Sequence, residues 1–215
     1  MRAALEARLR EGLARLELAL GELQIVRLLD FLDLLRKWSR VYNLTAVRDP
    51  AEMLTHHLLD SLAVVEPLGR QLQQRPATLL DVGSGAGLPG VVIAICCPQV
   101  RVHCVDTVAK KAAFVGQVAA ALRLPNLRGL HGRVEKLAGP YDVVACRAFA
   151  SLADFVAWSS GALAGQGIWL AMKGKVPHDE IAALPRDVQV FHVEQLRIPG
   201  LDAERCIVWM KRLPG

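Results

Sequence analysis

One stretch of the sequence decides the fold: Leu79-Leu80-Asp81-Val82-Gly83-Ser84-Gly85-Ala86-Gly87-Leu88-Pro89-Gly90. The apolar run at 78–82 is short and is typical of a strand that is buried on both faces. The glycines that follow allow a sharp turn and a close approach of the backbone to a ligand, where a Cβ would collide. Pro89 suits the first turn of a helix, because the N–H that it lacks has no partner there. The stretch therefore predicts a strand, a glycine-rich turn and a helix whose free N–H groups face the turn.

A second strand is predicted over 100–106, and it ends in Asp106. This acid lies about 20 residues after the glycines, where nucleotide-binding folds place a carboxylate that binds ribose hydroxyls. A glycine pattern alone is weak evidence, but the strand, turn, helix and acid together predict a loop that binds an adenosine-bearing ligand. Both S-adenosylmethionine and a nicotinamide dinucleotide fit this pattern.

The composition is that of a folded, water-exposed chain. Of the 215 residues 53% are hydrophobic, yet no apolar run approaches the roughly 18 residues that a membrane span needs. The N-terminus carries charges of both signs, unlike a signal peptide, so we expect a cytoplasmic protein without membrane association. The net charge is +5, and residues 61–169 hold ten basic and six acidic residues, which favours a polyanionic partner.

The cysteines give no sign of a disulfide framework or a metal site. Their number is odd, and they are Cys96, Cys97, Cys104, Cys146 and Cys206. Most of them lie within apolar strand or helix patterns, without the spacing of metal ligands. We therefore expect buried, reduced thiols and no metal.

The first 70 residues are predicted to be helical. Apolar residues recur at helical spacing over 3–20 and over 22–41, with Gly21 marking the break. Asp49 and Pro50 begin a third helix as N-cap and first residue. Its polar side chains include His56, His57, Asp60 and Ser61. The segment 67–76 is expected to be a linker into the first strand.

From residue 78 onward, strands alternate with helices, which predicts right-handed crossovers and a parallel sheet. The expected strands are 78–83, 100–106, 127–131, 141–147 and 168–173, and the helices between them are 89–97, 108–122 and 151–164. Two more strands, 188–196 and 205–212, follow a short helix at 178–184. The loop that joins them is too short for a parallel crossover, so they form an antiparallel hairpin.

Five parallel strands and a terminal hairpin resemble the Rossmann-like α/β sheet of class I S-adenosylmethionine-dependent methyltransferases. A nicotinamide dehydrogenase is the rival interpretation. The hairpin, the lack of room for a separate substrate domain, and Asp81 favour the methyl donor, since Asp81 can help to place its cationic methionine end. We expect a helical extension at 1–70 packed on a methyltransferase domain at 71–215.

Methyl transfer requires few catalytic side chains, because the donor supplies the chemistry and the protein supplies position and electrostatics. The sequence has no Asn-Pro-Pro-Tyr-like motif for exocyclic amines and no Pro-Cys motif of cytosine C5 enzymes. A nucleophile with its own free lone pair, such as guanine N7, therefore fits best, since it needs no general base.

The sequence resembles the RsmG (GidB) family of 16S ribosomal RNA guanine-N7 methyltransferases. The matching motifs extend through most of the chain: Asn43-Leu44-Thr45, His57-Leu58-Leu59-Asp60-Ser61, Asp81 to Gly90, Asp106 with Lys110-Lys111, Arg133-Val134-Glu135, Arg147-Ala148-Phe149-Ala150 and Lys173-Gly174. The resemblance implies S-adenosylmethionine as donor. It also implies a guanine as acceptor, position 527 in the 530 loop, within the small ribosomal subunit or its assembly intermediate.

The resemblance also implies roles for individual residues. Donor-binding residues would be Gly83, Gly85, Leu88, Asp106, Val134, Glu135 and Arg147. Residues facing the guanine or the RNA would be Asn43, His57, Arg147 and Lys173, with Lys110 and Arg133 as further candidates. Arg147 could instead form a strand-end ion pair, and Lys173 could be a surface lysine at the sheet end. A monomer without metal is expected.

The chain departs from the family pattern at Cys146, where a small hydroxyl residue is usual, and at Thr107, where serine is common. A hydroxyl hydrogen bond beside Arg147 would be lost or weakened. Aromatic residues are only 5% of the chain, so shape recognition and one inserted base are expected rather than a broad stacking platform. Two other functions stay open: a ribosome-binding protein with incidental transfer, and a small-molecule methyltransferase.

Overall fold

The computed structural model describes residues 1–214 and contains one seven-stranded sheet. Its strands are β1 (Ala77–Val82), β2 (Val100–Asp106), β3 (Leu127–His131), β4 (Tyr141–Arg147), β5 (Leu163–Lys173), β6 (Val188–Leu196) and β7 (Arg205–Arg212). They lie in the order β3-β2-β1-β4-β5-β7-β6. β1 to β5 pair in parallel, and β7 is antiparallel to β5 and β6. The predicted parallel sheet with a terminal hairpin is confirmed.

The helices of the described chain are α1 (Arg2–Arg15), α2 (Glu22–Tyr42), α3, α4 (Val65–Leu72), α5 (Gly90–Cys96), α6 (Ala109–Ala121), α7 (Leu152–Ser159) and α8 (His178–Ala182). α3 has three parts: Pro50–Met53, a π-helical segment Leu54–Leu59, and Asp60–Leu62. Asp49 is its N-cap as predicted, since its carboxylate accepts from two backbone N–H groups of the first turn. A 3₁₀ turn, Val134–Lys136, follows β3.

The sheet separates two clusters of buried apolar side chains. Leu79 belongs to the cluster that includes Phe31 and Phe114, whereas its neighbour Leu80 belongs to the cluster around Phe155 and Trp169. Successive residues of a strand point to opposite faces, so β1 contributes to both clusters. This explains why β1 carries apolar residues on both faces, with Thr78 and Asp81 as its polar members.

The N-terminal helices pack against the parallel part of the sheet through α5 and α6. The ring of Phe114 on α6 lies 5.3 Å from that of Trp38 and 6.3 Å from that of Phe31, both on α2. The Gln24 amide donates to the carbonyls of Ile95 and Cys96, which are free at the end of α5. The predicted division after residue 70 falls within α4, and the separation into extension and domain stays a prediction.

Two predicted helices are longer than the observed ones. The first was expected to reach residue 20, but α1 ends at Arg15, and Glu17 has a left-handed φ of +55°. Leu18 and Leu20 still pack against the core from a non-helical segment, which is why the leucine spacing continues past the helix. The helix expected over 151–164 likewise ends at Ser159.

The predictions of a linker before β1 and of the start of β5 were also wrong. The supposed linker 67–76 begins within α4, where Pro67 occupies the first turn and its missing N–H costs no hydrogen bond. β5 begins at Leu163 rather than at residue 168. Glycines 165 and 167 weaken the strand signal of this early part in the sequence. In the structure the register with β4 shifts here, and a Cβ on Gly167 would lie 2.9 Å from the Tyr141 carbonyl.

Candidate functional site

The side chains singled out in the sequence meet at one edge of the sheet. The chain leaves β1 for β2 and β3 on one side and returns to β4 and β5 on the other, so the strand order reverses between β1 and β4. Ligands of open α/β sheets bind at such a reversal, outside the carboxyl ends of the strands. The glycine turn follows β1, and Asp106, Arg147 and Lys173 end β2, β4 and β5.

The glycine turn depends on backbone conformations that other residues rarely adopt. Gly83, Gly85 and Gly87 have φ values of +63°, +57° and +79°. A Cβ on Gly83 would also lie 2.5 Å from the ring of Phe149. Gly83 is therefore required both by its backbone angle and by the aromatic ring that packs over it.

Hydrogen bonds to Asp106 connect the glycine turn to the end of β2. One carboxylate oxygen accepts from the Gly85 N–H at 3.0 Å and the other from the Val108 N–H at 2.9 Å. The Lys111 ammonium lies 3.8 Å away. A carboxylate has about four acceptor positions, so Asp106 retains capacity for the two hydroxyls of a ribose.

A cavity of about 450 Å³ opens beside Asp106. Val134, Phe149 and the half-exposed Trp158 form its apolar walls. The rings of Phe149 and Trp158 are edge-to-face at a centroid distance of 5.8 Å. The remaining lining residues are Val82, Gly83, Val105, Thr107, Val108, Lys111, Gly132, Arg133 and Glu135. Apolar walls beside a carboxylate that has free acceptor positions are suited to an adenosine.

Asp81 lies beneath the glycine turn. It is completely buried and lines neither this cavity nor the neighbouring one. One of its oxygens accepts from the Gly90 N–H at 2.8 Å, and burial raises its pKa to about 7. Asp81 therefore holds the start of α5 beneath the glycine turn. Its other oxygen has no hydrogen-bond partner among the described residues, and its expected help in placing the methionine end of the donor stays a prediction.

A second cavity, of about 630 Å³, adjoins the first and shares Gly83 and Phe149 with it. Its walls carry the polar side chains of Thr45, His56, His57, Asp60, Ser84, Arg147, Lys173 and Arg205. Leu44, Gly85, Ala86, Leu88, Ala148, Met172 and Gly174 complete them. One cavity is thus mainly apolar and the next is rich in cations.

Asp60 joins two arginines in the larger cavity. Its buried carboxylate accepts from Arg147 at 2.9 Å with one oxygen and from the Nε of Arg205 at 3.0 Å with the other. Arg147 also donates to the backbone carbonyl of His56 at 3.0 Å. The strand-end ion pair that the sequence offered for Arg147 is therefore present. The paired guanidinium also lines the cavity, and its site role stays a prediction.

Lys173 is held in a similar way. Its ammonium lies 2.8 Å from Glu180 on α8 and 3.2 Å from the Ala150 carbonyl, and only 16% of its side chain is exposed. Glu180 also accepts from the Leu152 N–H at the start of α7. Lys173 is thus an oriented cation in the wall of the cavity rather than a mobile surface lysine.

His57 lies in the π-helical segment of α3. π-helical turns change which side chains share a face and are frequent at functional sites. The ring Nε2 lies 2.7 Å from the Thr45 hydroxyl, and Nδ1 is buried without a hydrogen-bond partner among the described residues. Burial and the nearby charge of Arg147 lower the pKa of His57 to about 4, so this imidazole is neutral at pH 7.

Comparison with known proteins identifies the family. The profile of rRNA small subunit methyltransferase G matches residues 24–208. The ribosomal RNA small subunit methyltransferase G of Acidovorax sp. (strain JS42) is 69% identical over 214 residues, which cover 96% of this chain and 95% of that protein. The chain belongs to this family. A protein of the same name from Polaromonas sp. (strain JS666 / ATCC BAA-500) is 66% identical over 210 residues, covering 96% of this chain and 93% of that one.

Solved structures share the fold of this family member at low identity. A SAM dependent methyltransferase from Aquifex aeolicus aligns with a TM-score of 0.57 and 16% identity, over 75% of this chain and 93% of that one. TrmN from Thermus thermophilus aligns with a TM-score of 0.57 and 17% identity, over 74% of this chain and 53% of that one. The class I fold is thereby confirmed. Together with family membership, it makes the chain an S-adenosylmethionine-dependent rRNA methyltransferase.

The chemistry of the smaller cavity fits the donor of this family. Asp106 has acceptor capacity for the ribose, and Gly83 lets the backbone come close to a ligand. The apolar walls suit an adenine ring. No helix among residues 1–214 is long and apolar enough to cross a bilayer, and no metal-ligand cluster of His, Cys, Asp or Glu occurs among them. The five cysteines are free thiols.

Most of the expected site residues are brought together, and two are not. Gly83, Asp106, Val134 and Glu135 line the smaller cavity, while Gly83, Gly85, Leu88, His57, Arg147 and Lys173 line the larger one. Asn43 ends α2 in a left-handed conformation, lies outside both cavities, and its side-chain oxygen accepts from Arg48. Lys110 also lies outside them, whereas its neighbour Lys111 lines the smaller cavity.

Sequence reasoning assigned no role to five side chains in or beside the two cavities. Phe149 and Asp60 were inside quoted motifs but had no assigned role, whereas Arg205 and Glu180 lie in segments without any motif. Trp158 was hidden in the apolar pattern of α7, and its exposed fraction of 41% distinguishes it only in the folded protein. Pairing across 145 residues, as between Asp60 and Arg205, has no local signal.

Proposed function

We propose that this chain transfers the methyl group of S-adenosylmethionine to N7 of a guanine in 16S ribosomal RNA, the guanine at position 527 in the 530 loop. One observation carries the proposal: a mainly apolar cavity that includes the Asp106 carboxylate adjoins a cation-rich cavity, and the two share Gly83 and Phe149. A donor in the first cavity and a base in the second would meet at these two residues. The proximity of the two reactants is the main requirement of the reaction.

On the donor side, bound S-adenosylmethionine supplies an electrophilic methyl group on its sulfonium. Asp106 would accept hydrogen bonds from the ribose hydroxyls, and the 3₁₀ turn with Val134 and Glu135 would contact the adenine. Gly83, Gly85 and Leu88 would follow the rest of the donor, and Arg147 would bind its carboxylate. A guanidinium favours carboxylates because its donors form a planar fork.

On the acceptor side, the residues position a base rather than remove a proton. Guanine N7 carries a free lone pair and no proton, so methylation there needs no general base. The neutral imidazole of His57 can contact the base without adding charge beside a ring that becomes cationic. Arg147, Lys173 and Arg205 would bind base oxygens or backbone phosphates, and Asn43 would contact the RNA from the rim.

Asp60 and Glu180 moderate the charge of this cavity. Each carboxylate is fixed against the cations that line it, Asp60 against two arginines and Glu180 against Lys173. A cationic product is repelled less where such counter-charges are built in, because charge interactions are strong in partly buried sites. The carboxylates also preorganise the cations before RNA arrives.

We further propose a cytoplasmic enzyme that acts as a monomer without a metal ion, on the small subunit or its assembly intermediate. The residues of one chain line both cavities, which favours a site formed by one copy. Transfer from a sulfonium needs no Lewis acid. The net charge of +5 favours association with RNA.

The test is a methyl-transfer assay with tritium-labelled donor. Intact and protein-depleted small subunits that lack the guanine methyl group serve as acceptors, and the labelled nucleoside is identified by mass spectrometry. We expect 7-methylguanosine at one position. Label in another nucleoside would refute the assignment of the acceptor. Donor binding without label in either acceptor would refute the proposed RNA substrate and leave a small-molecule acceptor.

A further inference from the structure

The last turn of α2 exposes two large side chains to solvent. Val41 is 71% exposed and Tyr42 is 43% exposed. The middle of α2 buries its apolar face, through residues such as Leu35 and Phe31, whereas Leu23 and Val26 near its start are also exposed. An exposed apolar pair at one helix end is a candidate contact surface when it lies beside a functional site.

Tyr42 is supported from beneath and from one side. Its ring lies 5.0 Å from that of Trp38, which in turn lies 5.3 Å from Phe114 in the core. The Lys110 ammonium at the start of α6 lies 5.9 Å from the centre of the Tyr42 ring. These contacts hold the ring in place before a ligand arrives, which lowers the entropy cost of stacking on it.

Three exposed cations in the last turns of α2 and at the start of α6 are not neutralised by carboxylates. Lys37, Arg40 and Lys110 are exposed, and within residues 1–214 none of them has a carboxylate oxygen within 4.0 Å. By contrast, their neighbours Arg36 and Lys111 are paired with Asp33 and Asp106. Unpaired cations near an exposed aromatic ring, one of which lies over that ring, are suited to the phosphates and bases of an unpaired nucleic acid strand.

The chain places this surface at the rim of both cavities. Tyr42 is followed within three residues by Leu44 and Thr45, which line the larger cavity. Lys110 stands between Val108 and Lys111, which line the smaller one. A strand that delivers a base into the larger cavity would therefore have its neighbouring nucleotides close to Tyr42.

We propose that Lys37, Arg40, Val41, Tyr42 and Lys110, here called the α2 rim, dock the RNA substrate beside the methylated guanine. An unpaired base stacks on Tyr42 and Val41, and the three cations contact phosphates. This assignment rests on the proposed function for the identity of the ligand. It gives the N-terminal helices a direct part in RNA recognition, in addition to bracing the core.

The test compares the change Lys110→Glu with a matched control, Lys211→Glu. Lys211 is exposed and lies 5.7 Å from the centre of the Phe191 ring, so both changes reverse the charge of a lysine over an aromatic ring. Lys211 lines neither cavity. The acceptor is the protein-depleted small subunit that lacks the methyl group, and the readouts are KM for RNA at several salt concentrations and the calorimetric Kd for S-adenosylmethionine.

We expect Lys110→Glu to raise KM for RNA about tenfold. The slope of log KM against log salt concentration should fall by about one, which corresponds to the loss of one phosphate contact. The Kd for S-adenosylmethionine should not change. Tyr42→Ala should raise KM by roughly five- to tenfold, and Tyr42→Phe should restore it, because stacking needs the ring and not the hydroxyl. Lys211→Glu should change KM less than twofold.

Equal changes of KM for RNA in Lys110→Glu and Lys211→Glu would overturn the inference. Methyl transfer by the wild-type protein would still support the proposed function in that case. Unchanged KM for Tyr42→Ala, combined with a change of molecular mass in solution, would assign the α2 rim to contact between two copies and would also overturn it. Absence of methyl transfer by the wild-type protein to intact and depleted subunits would overturn the proposed function and this inference together.

Discussion

The Arg147 guanidinium at the end of β4 donates to the buried Asp60 carboxylate on α3 across 2.9 Å. The same carboxylate accepts from Arg205 at the start of β7. Three elements far apart in the chain therefore meet at one charge in the wall of the larger cavity. Because Asp60 is only 3% exposed and both arginines are partly buried, we expect this bridge to affect stability as well as activity.

Asp60→Asn should lower the free energy of unfolding by about 2 kcal/mol, because it leaves two partly buried arginines without their counter-charge. Urea denaturation measures this. Glu66→Gln is the matched control: it removes one of the two carboxylate partners of Arg70, in an ion pair whose two side chains are about half exposed, and it should cost less than about 0.5 kcal/mol. Equal losses in the two variants would show that the Asp60 bridge adds nothing to stability.

Asp106→Ala should weaken the binding of S-adenosylmethionine by roughly ten- to a hundredfold. It removes the expected ribose partner and also releases the Gly85 N–H that fixes the glycine turn. Hydrogen bonds to a charged group contribute about 1.5–3 kcal/mol each, which corresponds to this range. Isothermal titration calorimetry is the measurement, with Asp202→Ala in the β6–β7 loop as control. An unchanged affinity would remove Asp106 from the donor site.

Gly83→Ala should reduce both stability and donor affinity. The new Cβ would lie 2.5 Å from the Phe149 ring, and alanine at a φ of +63° is disfavoured by about 1 kcal/mol. Thermal denaturation and calorimetry give the two effects. Gly116→Ala, in the exposed part of α6 with no atom within 4 Å of the added Cβ, should instead stabilise the protein by about 0.5–1 kcal/mol. A tolerated Gly83→Ala would mean that the turn can rearrange.

The pH dependence of stability should report the neutral state of His57. Burial and Arg147 lower its folded pKa to about 4, from 6.5 in the unfolded chain. Between these values the unfolded chain binds a proton that the folded protein does not, so this contribution is complete above about pH 6.5 and is lost as pH falls toward 4. It amounts to roughly 3 kcal/mol at most.

The measurement is the difference in free energy of unfolding between wild type and His57→Gln across this pH range. A difference is needed because Asp81, whose pKa is raised to about 7, contributes with the opposite sign: its stabilisation is lost as pH rises toward 7. His56→Gln should keep the wild-type slope. A slope that is the same in His57→Gln and wild type would show that the imidazole is not the group responsible.

Much of the fold could be predicted because its signals are local. The run from Leu79 to Gly90 has the apolar strand, the glycines and the helix start in consecutive positions, and the structure places β1, the turn and α5 there. Predictions were wrong where a local signal was ambiguous. Leucine spacing past Arg15 reflects burial without a helix, and the glycines near Gly167 conceal a strand that its neighbour β4 stabilises.

The sequence by itself determined the order of strands and helices, the glycine turn and the acid at the end of β2, because short-range sterics and periodic burial specify them. Only the tertiary structure decided which charges meet. It pairs Asp60 with Arg147 and Arg205, sets Glu180 against Lys173, buries Asp81 beneath the turn and leaves Tyr42 exposed beside Lys110. Such contacts depend on the register and packing of distant segments, and no local pattern encodes the distance between two side chains that the folded sheet brings together.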